Sequence, residues 1–290
     1  MTSTISGMAV VIVHYNSHDT MRLTLDDLSR HFDREHLVVV DNSATLTEDV
    51  YRQRATVLAD GENRGYAGGV NHGIRAVAKT LPDVSEILVC THEALFRDDA
   101  LSQLHATAKE FPGGHIIGPK LVTRDYRGVE SVWSNGGHLS LPFYYPKHDV
   151  AASARGLRRV KWVDGAAFVI DLGTWRRLGG IPEEFFMYME DVALGLLARR
   201  AGVPVLTNLD AIVEQSANGP SRSLAIRNRI ILALRYMRPF ERMIVRAEVR
   251  ARSLLARVHP SPSMREKAME SNRAVSEGKA IVSQLAPLVT

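Results

Sequence analysis

Apolar residues in the first hundred positions fall into short continuous runs separated by segments of helical or turn character. Such runs are 8–13 (MAVVIV), 37–40 (LVVV) and 87–90 (ILVC), with a shorter one at 55–59 (ATVLA). Continuous runs of this length are typical of strands buried on both faces. The intervening segments, 17–31 and the one after the glycine-rich stretch 62–73, predict helices. This alternation predicts an α/β fold with a mostly parallel, doubly wound sheet flanked by helices.

The pattern becomes less regular after residue 118. Residues 130–146 have the turn signals and aromatics of a hairpin or irregular insertion, and 151–159 predict a mobile loop. The remaining predicted elements are a strand at 161–171, a helix at 172–180, a helix from 190 and a strand at 203–208. Beyond residue 221 the sequence is helical, with a break at Pro239 and a linker at 259–263. We therefore predict a first domain at 1–221 and a helical extension at 222–290.

Composition narrows the class of protein without fixing a function. The chain has 290 residues, of which 45% are hydrophobic and 23% charged, as in an ordinary globular enzyme. The single cysteine, Cys90, excludes an intrachain disulfide and favours a reducing, cytoplasmic compartment. We expect no signal peptide, because no basic leader precedes the first apolar run. We expect no membrane-spanning helix either, since no apolar stretch approaches about 20 residues.

The positive charge is uneven. The net charge is +4, and arginines are concentrated between residues 222 and 257. We expect no nucleic-acid partner, because neither a zinc pattern nor an RNP-type strand accompanies this charge. Most of these arginines fit the solvated face of long helices. Dispersed apolar residues among them favour packing on the catalytic domain, while peripheral contact with anionic lipid and a homodimer stay open. Those apolar residues are Ile226, Ile230, Leu232, Leu234, Ile244 and Val245.

Candidate ligand contacts follow from the sheet, because open parallel sheets bind ligands beyond the carboxyl ends of their strands. Asp41 ends a predicted strand and suits a hydrogen bond to a base or ribose. Glu93, in the motif THE, suits a divalent cation held against a diphosphate. Glycines 65, 68, 69 and 73 allow close backbone approach to a ligand. For each feature an ordinary structural interpretation stays open: a polar strand end, or a tight turn with close helix packing.

Residues 181–191 (IPEEFFMYMED) end in an acidic pair that opens a predicted helix. Carboxylates in the first turn of a helix are stabilised by its free N–H groups, so capping explains one of them. An apolar, aromatic approach to the pair also desolvates a carboxylate and raises its proton affinity. A general base requires that property.

The order of these segments resembles that of family 2 glycosyltransferases with the GT-A fold, particularly their rhamnosyltransferase-like branch. The resemblance covers about residues 8–230, and its most specific parts are ENRGYAGGVNHG (62–73) and GGIPEEFFMYMED (179–191). It implies that Asp191 is the catalytic base, and we expect Glu190 to orient Asp191 or the acceptor. It also implies that Asp41 contacts the nucleotide base. The remaining residues expected in the nucleotide and donor-sugar site are His14, Tyr15, Asn16, Asn63, Arg64, Gly65, Gly69, Asn71, Thr91, His92, Gly165 and Ala166.

Two departures from the family pattern concern the metal. Thr91-His92-Glu93 stands where the family has Asp-x-Asp or Asn-Pro-Asp, and Glu214 stands where many relatives have a metal-binding histidine. We predict that Glu93 and Glu214 together hold Mg²⁺ or Mn²⁺, since both supply hard oxygen ligands. Alternatively, arginines neutralise the leaving diphosphate, and the candidates are Arg222, Arg227 and Arg229.

The resemblance implies an inverting glycosyltransferase that uses a dTDP- or UDP-sugar. The expected acceptor is a small molecule such as a secondary metabolite, or a lipid-linked glycan. Two other classes stay open. A nucleotidyltransferase shares a nucleotide-binding α/β half, although the chain lacks its usual N-terminal glycine-rich lysine loop. A non-catalytic nucleotide-sugar-binding protein would explain the missing Asp-x-Asp.

Overall fold

The computed structural model describes residues 5–216, 219, 221–257 and 262–288. They form two compact units. The first contains 5–138 and 148–216, and the second contains 139–147 together with the described residues after 218. The predicted division after residue 221 stays a prediction, and these units differ from it because 139–147 belong to the second one. The predicted linker at 259–263 lies largely outside the described residues.

Strands and helices alternate along most of the described chain. The strands are β1 Met8–His14, β2 Leu37–Asp41, β3 Thr56–Leu58, β4 Glu86–Thr91, β5 Leu95–Phe96, β6 Ile116–Arg124, β7 Glu130–Ser134, β8 Gly137–Ser140, β9 Tyr145–His148, β10 Leu157–Arg159, β11 Ala167–Asp171 and β12 Val205–Glu214. The helices are α1 His18–Leu28, α2 Asp49–Arg54, α3 Gly65–Thr80, α4 Ala100–Lys109, α5 Leu172–Leu178, α6 Glu190–Arg200, α7 Arg222–Tyr236, α8 Pro239–Arg257 and α9 Pro262–Gln284, with a short 3₁₀ turn at Arg34–His36.

The central sheet of the first unit has the strand order β10-β12-β6-β11-β4-β1-β2-β3. The strands β4, β1, β2 and β3 are parallel, as predicted, and so are β6 and β12. Between these two groups lies β11, antiparallel to both β4 and β6. The sheet is therefore mixed, and its parallel half is the one that the apolar runs predicted.

The core forms two layers because side chains alternate between the two faces of each strand. In β1, Val10 and Ile12 join the layer packed against α1, where Met21 and Leu25 are buried. Val11 and Val13 join the opposite layer with the apolar face of α3, which includes Ile74. A strand with apolar residues on both faces is thereby covered on both sides, which is why its sequence does not alternate.

The second unit contains α7, α8, α9 and the hairpin segment 139–147. A buried charge cluster joins these pieces. Arg229 of α7 donates to Glu248 of α8 at 2.6 Å and to the carbonyl oxygen of Phe143 at 2.7 Å. Its guanidinium also lies 3.7 Å from the ring centroid of Tyr145, whose hydroxyl donates to Glu248. Loss of either partner would leave a buried charge without a counter-ion, which is strongly destabilising. The cluster therefore holds the hairpin segment against the helices.

Two further observations bear on the sequence predictions for the C-terminal part. The break at Pro239 is confirmed, since α7 ends at Tyr236 and α8 begins at Pro239. Within the described part of the chain, every helix is too short or too polar to cross a bilayer.

Candidate active site

One edge of the sheet collects most of the predicted site. The register pairs His14 at the end of β1 with Asp41 at the end of β2, and Val13 with Thr91 at the end of β4. Because β11 is antiparallel to β4, it begins rather than ends at this edge, where Ala167 pairs with Cys90. Gly165 and Ala166 therefore arrive beside the carboxyl ends of the parallel strands, and Thr91 donates its N–H to the carbonyl oxygen of Ala166 at 3.0 Å.

The segment that delivers Asp191 has an unusual backbone. Phe186, Tyr188 and Met189 have φ values of 65°, 69° and 72°, the left-handed region that side chains other than glycine rarely adopt. Non-glycine residues held in this region cost about 1 kcal/mol or more each and cluster at functional sites. Met189 is the N-cap of α6, so this strained turn fixes the start of the helix and the direction of Asp191.

Asp191 is held by backbone donors from two elements. Its Oδ2 accepts a hydrogen bond from the N–H of Gly165 at 3.1 Å, and its Oδ1 accepts one from its neighbour Val192 at 2.7 Å. Burial raises the pKa of Asp191, the negative charge of Asp164 raises it further, and the two backbone donors oppose both effects. The resulting pKa is about 7. A carboxylate with this pKa is suited to accept a proton at neutral pH.

Glu190, the other member of the acidic pair, differs in character. Its side chain is buried, and Oε2 has no hydrogen-bond partner. Burial, and secondarily the charge of Asp191, raise the pKa of Glu190 well above its ordinary value. Both carboxyl groups of the pair therefore bind a proton more tightly than an exposed carboxyl group does.

Asp164 is a third acidic residue that the sequence analysis did not select. Its Oδ1 accepts from the N–H of Ala166 at 2.8 Å, and its Oδ2 accepts from Trp133 Nε1 at 2.9 Å. His148 Nε2 lies 3.8 Å from the same Oδ2, and its ring packs edge-on against Trp162. The only signal in the sequence was the position of Asp164 directly before Gly165-Ala166.

The glycine-rich segment forms the start of α3. Gly65 has φ of 67°, and a Cβ there would lie 2.2 Å from the carbonyl oxygen of Phe186, so only glycine fits this approach. Asn63 accepts from the N–H of Gly65 at 3.0 Å, and Tyr66 donates its N–H to Phe186 at 2.7 Å and its hydroxyl to Gly165. The segment thus positions both the strained turn and the Gly165 loop.

Two other residues of this segment, Arg64 and Gly69, contact different parts of the protein. The Arg64 guanidinium pairs with Asp60 and, at 2.7 Å, with Glu62. Gly69 packs close to Asn42 and Val13, where an added Cβ would lie 3.2 Å from each.

Asn71 has a structural contact network. Its Nδ2 donates to the Ile181 carbonyl oxygen at 2.8 Å and to Glu183 at 2.7 Å. Its Oδ1 accepts from Trp175 Nε1 and from the N–H of Ile181, both at 2.9 Å. The amide is buried and fully used by the protein. This arrangement argues against the nucleotide contact expected for Asn71 and assigns it to holding residues 181–183 against α3.

The ends of β1, β2 and β4 form a polar cluster. His14 is buried, its ring lies 5.1 Å from that of His92, and its Nδ1 has no hydrogen-bond partner. Burial, and then the proximity of His92, lower the pKa of His14 to about 4, so the ring is neutral at pH 7. The carboxylate of Asp41 accepts from Ser43 and Leu46, which leaves it buried beneath the 43–46 loop.

Tyr15 and Asn16 follow β1 on the accessible side of this cluster. Tyr15 is 52% exposed. Asn16 has a left-handed backbone with φ of 57°, and its N–H donates to the Ser43 hydroxyl at 3.0 Å. These two residues are therefore open to a ligand, whereas Asp41 lies beneath the loop.

Glu93 and Glu214, the predicted metal ligands, line the same pocket. Their surroundings nevertheless do not suit a shared metal ion. Glu93 precedes β5, and Leu95 of β5 pairs with Glu214 at the end of β12. Glu214, however, accepts from Arg97 at 2.7 Å and from Arg124 at 3.1 Å. Cations already neutralise this carboxylate, which argues against the Glu93/Glu214 pair as a metal site. The described residues contain no cluster of three or more His, Cys, Asp and Glu side chains suited to a metal.

The arginine alternative is also constrained. Arg229 is buried and paired with Glu248, and Arg227 lies 3.3 Å from Glu277. Carboxylates already neutralise both guanidinium groups, which argues against a role for either arginine at a leaving diphosphate. Arg222, at the start of α7, is exposed.

The site combines polar side chains at the strand ends, a close backbone contact that requires glycine, and a desolvated carboxylate. These features are typical of a nucleotide-dependent transferase with an α/β fold. Residues 6–231 match the sequence model of a protein family described as "Glycosyltransferase like family 2". The chain belongs to this family, and it is a glycosyltransferase that transfers a sugar from a nucleotide-sugar donor. The predicted family and the GT-A fold are confirmed.

Individual relatives are distant. An N-acetylglucosaminyl-diphospho-decaprenol L-rhamnosyltransferase of Mycobacterium tuberculosis is 26% identical over 250 residues, covering 77% of this chain and 81% of the relative. A crystal structure of GalNAc-T7 with UDP, GalNAc and Mn²⁺ is similar with a TM-score of 0.64 and 13% identity. That match covers 97% of this chain and 58% of the solved chain. The structure of a Pyrobaculum calidifontis mannosyltransferase with GDP-Man and Mn²⁺ is similar with a TM-score of 0.50 and 16% identity. That match covers 98% of this chain and 76% of the solved chain.

Proposed function

We propose that the chain is an inverting glycosyltransferase in which Asp191 is the general base. The observation that carries this proposal is the setting of the Asp191 carboxylate, which is buried, aimed at Gly165 and raised in pKa to about 7. In a single displacement the acceptor hydroxyl attacks the anomeric carbon, the bond to the diphosphate breaks, and Asp191 takes the hydroxyl proton. A base whose pKa lies near the working pH combines availability with proton affinity.

Glu190 acts beside the base rather than as a second base. Burial, and then the charge of Asp191, raise the pKa of Glu190 well above its ordinary value, which favours the protonated form of this side chain. A protonated carboxyl group is a hydrogen-bond donor, so Glu190 is able to orient Asp191 or an acceptor oxygen. This role keeps a single negative charge on the pair, as expected of two neighbouring carboxyl groups.

The donor lies along the strand ends in this proposal. Tyr15 and Asn16 border the nucleotide, the backbone near Asn63, Arg64 and Gly65 lines its pocket, and Gly165 with Ala166 borders the sugar. Thr91 and His92 lie between these regions at the end of β4. Asp41 and His14 support the nucleotide pocket from below through the 43–46 loop, because both are buried.

Glu93 is the residue that would hold a divalent cation together with the donor diphosphate. Magnesium is often bound by one or two carboxylates plus substrate phosphates, so a single carboxylate at this position fits. When bound, Mg²⁺ or Mn²⁺ would neutralise charge on the departing diphosphate. The two solved relatives described above contain Mn²⁺, which supports this assignment by fold.

The proposed acceptor is a lipid-linked glycan rather than a small secondary metabolite. The mycobacterial relative is described as acting on a diphospho-decaprenol. A dTDP- or UDP-linked sugar stays our first choice of donor, and the UDP in one of the solved relatives supports the second of these. The cytoplasmic location expected from the sequence remains part of this proposal.

The replacement Asp191→Asn tests the base. It removes the proton acceptor and keeps a side chain of the same size, so turnover should fall by about 10²-fold or more while donor affinity stays near the wild-type value. Release of nucleoside diphosphate and donor titration measure the two quantities. Asp83→Asn, an exposed carboxylate of the first unit, is the matched control. Turnover close to that of this control would remove Asp191 from the proposed role.

A further inference from the structure

Helix α8 exposes an apolar stripe to solvent. Phe240 is 62% exposed, Met243 58% and Leu254 62%. Ala247 and Ala251 are exposed between them. The spacings of three, four, four and three residues place all five side chains on one face of the helix. At about 1.5 Å per residue the stripe is about 20 Å long. Val245 and Glu248 point to the opposite, buried side.

Positive charge flanks this stripe. Arg246 and Arg250 are exposed, and each lies one helical turn from an apolar residue of the stripe. The helix has five arginines and two glutamates. Glu248 pairs with Arg229 and with Arg252, and Glu241 accepts from the N–H of Arg238. Among the described residues, Arg246 and Arg250 have no carboxylate partner. The face therefore combines exposed apolar side chains with uncompensated cations.

A groove opens beside the same face, between α8 and α9. It has a volume of about 370 Å³, and its lining includes Val249, Leu254 and Val275 as well as Arg250 and Lys279. The lining also includes the polar residues Ser253, Asn272 and Ser276. Apolar side chains beside cations match the junction between the acyl chains and the anionic headgroups of a lipid.

We propose that this face of α8 is a docking surface for an anionic lipid bilayer. The apolar stripe enters the boundary between headgroups and acyl chains, and the long arginine side chains reach the phosphates. A second copy of the chain fits less well. A symmetric contact through the stripe would bring two rows of arginines together without carboxylates to pair with them. The sequence pattern favours packing for this region, but the apolar residues that carry this expectation are not those of the exposed stripe.

Vesicle co-sedimentation of the full chain tests the proposal, and it needs no turnover, so it is independent of the proposed role of Asp191. We expect binding to phosphatidylcholine vesicles with 30% phosphatidylglycerol at 0.1 M salt, and a loss of about tenfold or more at 1 M salt or without the anionic lipid. Phe240→Ser with Leu254→Ser, and separately Arg246→Glu with Arg250→Glu, should each reduce binding by about tenfold.

Matched controls change the same chemistry in the first unit. Tyr126→Ser removes an exposed aromatic side chain, and Lys79→Glu with Arg176→Glu reverses two exposed cations. Both should bind vesicles as the wild type does. The variant Phe240→Trp should show a blue shift of fluorescence on adding anionic vesicles.

Three results would overturn the proposal. They are absence of wild-type binding at 0.1 M salt, equal losses in the control variants, and a dimer measured by light scattering without lipid that Phe240→Ser with Leu254→Ser dissociates. The last result would assign the face to a second copy of the chain.

Discussion

Asp164 comes from one segment and Glu190 and Asp191 from another, and the charge of Asp164 raises the pKa of both members of the pair. Asp191 is faced by the carboxylate of Asp164, by Glu190 and by the hydroxyl of Tyr66, whose own pKa burial raises well above its usual range. The N–H groups of Gly165 and Val192 act in the opposite direction. Asp164 therefore tunes the proposed base while contacting it only through the Gly165 loop, which makes it a positioning residue.

The pH dependence of turnover should report this tuning. Asp191 must be ionised to accept a proton, so kcat/KM should rise with pH through a midpoint near 7, the pKa of Asp191. Asp164→Asn removes a negative charge that raises this pKa, and the midpoint should move to lower pH by about 1 unit. Trp133→Phe deletes the hydrogen bond to Asp164 but keeps its charge, so its midpoint should stay close to that of the wild type. An unchanged midpoint in Asp164→Asn would contradict the role assigned to this residue.

At the scale of elements, the site depends on how α3 is joined to the segment that precedes α6. Asn71 bonds both the N–H and the carbonyl oxygen of Ile181 and also accepts from Trp175. Because Gly65 has no side chain, the backbone of Phe186 packs directly against the start of α3. These two contacts hold the segment that leads into the strained turn, so the direction of Asp191 depends on residues of another helix.

Asn71→Ala should therefore affect stability and turnover together. It leaves three buried backbone and side-chain groups without partners, each worth about 1 kcal/mol or more, so we expect a loss of about 2 to 4 kcal/mol in the free energy of unfolding. Turnover should fall at temperatures where the variant is still folded, because the turn before α6 loosens. His72→Ala on the same helix is the control and should change both quantities little. A variant with wild-type stability would show that the Asn71 network is dispensable.

The sequence predicts those strands and helices whose pattern of apolar residues lies within the element itself. The parallel strands β1, β2 and β4 are continuous apolar runs, and their buried location on both faces follows from this. The nine-residue strand β6 was not predicted, because Gly118-Pro119-Lys120 in its middle is typical of a turn. Its Lys120 is nevertheless buried and donates to the Ala154 carbonyl oxygen at 2.7 Å. Residues 157–159, expected in a loop, form the exposed strand β10.

The candidate site divides in the same way. Asp191 and Gly165 could be selected from the sequence because each belongs to a compact motif. The Asp164 contacts escaped prediction because Trp133 and His148 come from distant segments that only the fold brings together. The structural role of Asn71 could not be distinguished from ligand binding, since a polar residue in a glycine-rich motif has the same sequence pattern in either case.

At the scale of the whole molecule, donor binding and folding are linked, because a ligand that binds only the folded state raises the melting temperature. A donor at 100 times its dissociation constant adds about 2.7 kcal/mol to the free energy of unfolding. If Glu93 holds a cation against the diphosphate, Mn²⁺ should increase the shift given by the correct nucleotide sugar. A panel of UDP-, dTDP- and GDP-sugars, with Mn²⁺ or with EDTA, therefore identifies the nucleotide and tests the metal in one experiment.

Two glutamine variants separate the metal site from the ion-pair cluster. Glu93→Gln should keep the melting temperature of the ligand-free protein and lose the increment that Mn²⁺ adds to donor binding. Glu214→Gln should behave in the opposite way. It removes the carboxylate that accepts from Arg97 and Arg124, so the ligand-free protein should melt at a lower temperature, while the Mn²⁺ increment persists. Loss of the increment in Glu214→Gln, together with its retention in Glu93→Gln, would place the metal on the residue that this structure pairs with arginines.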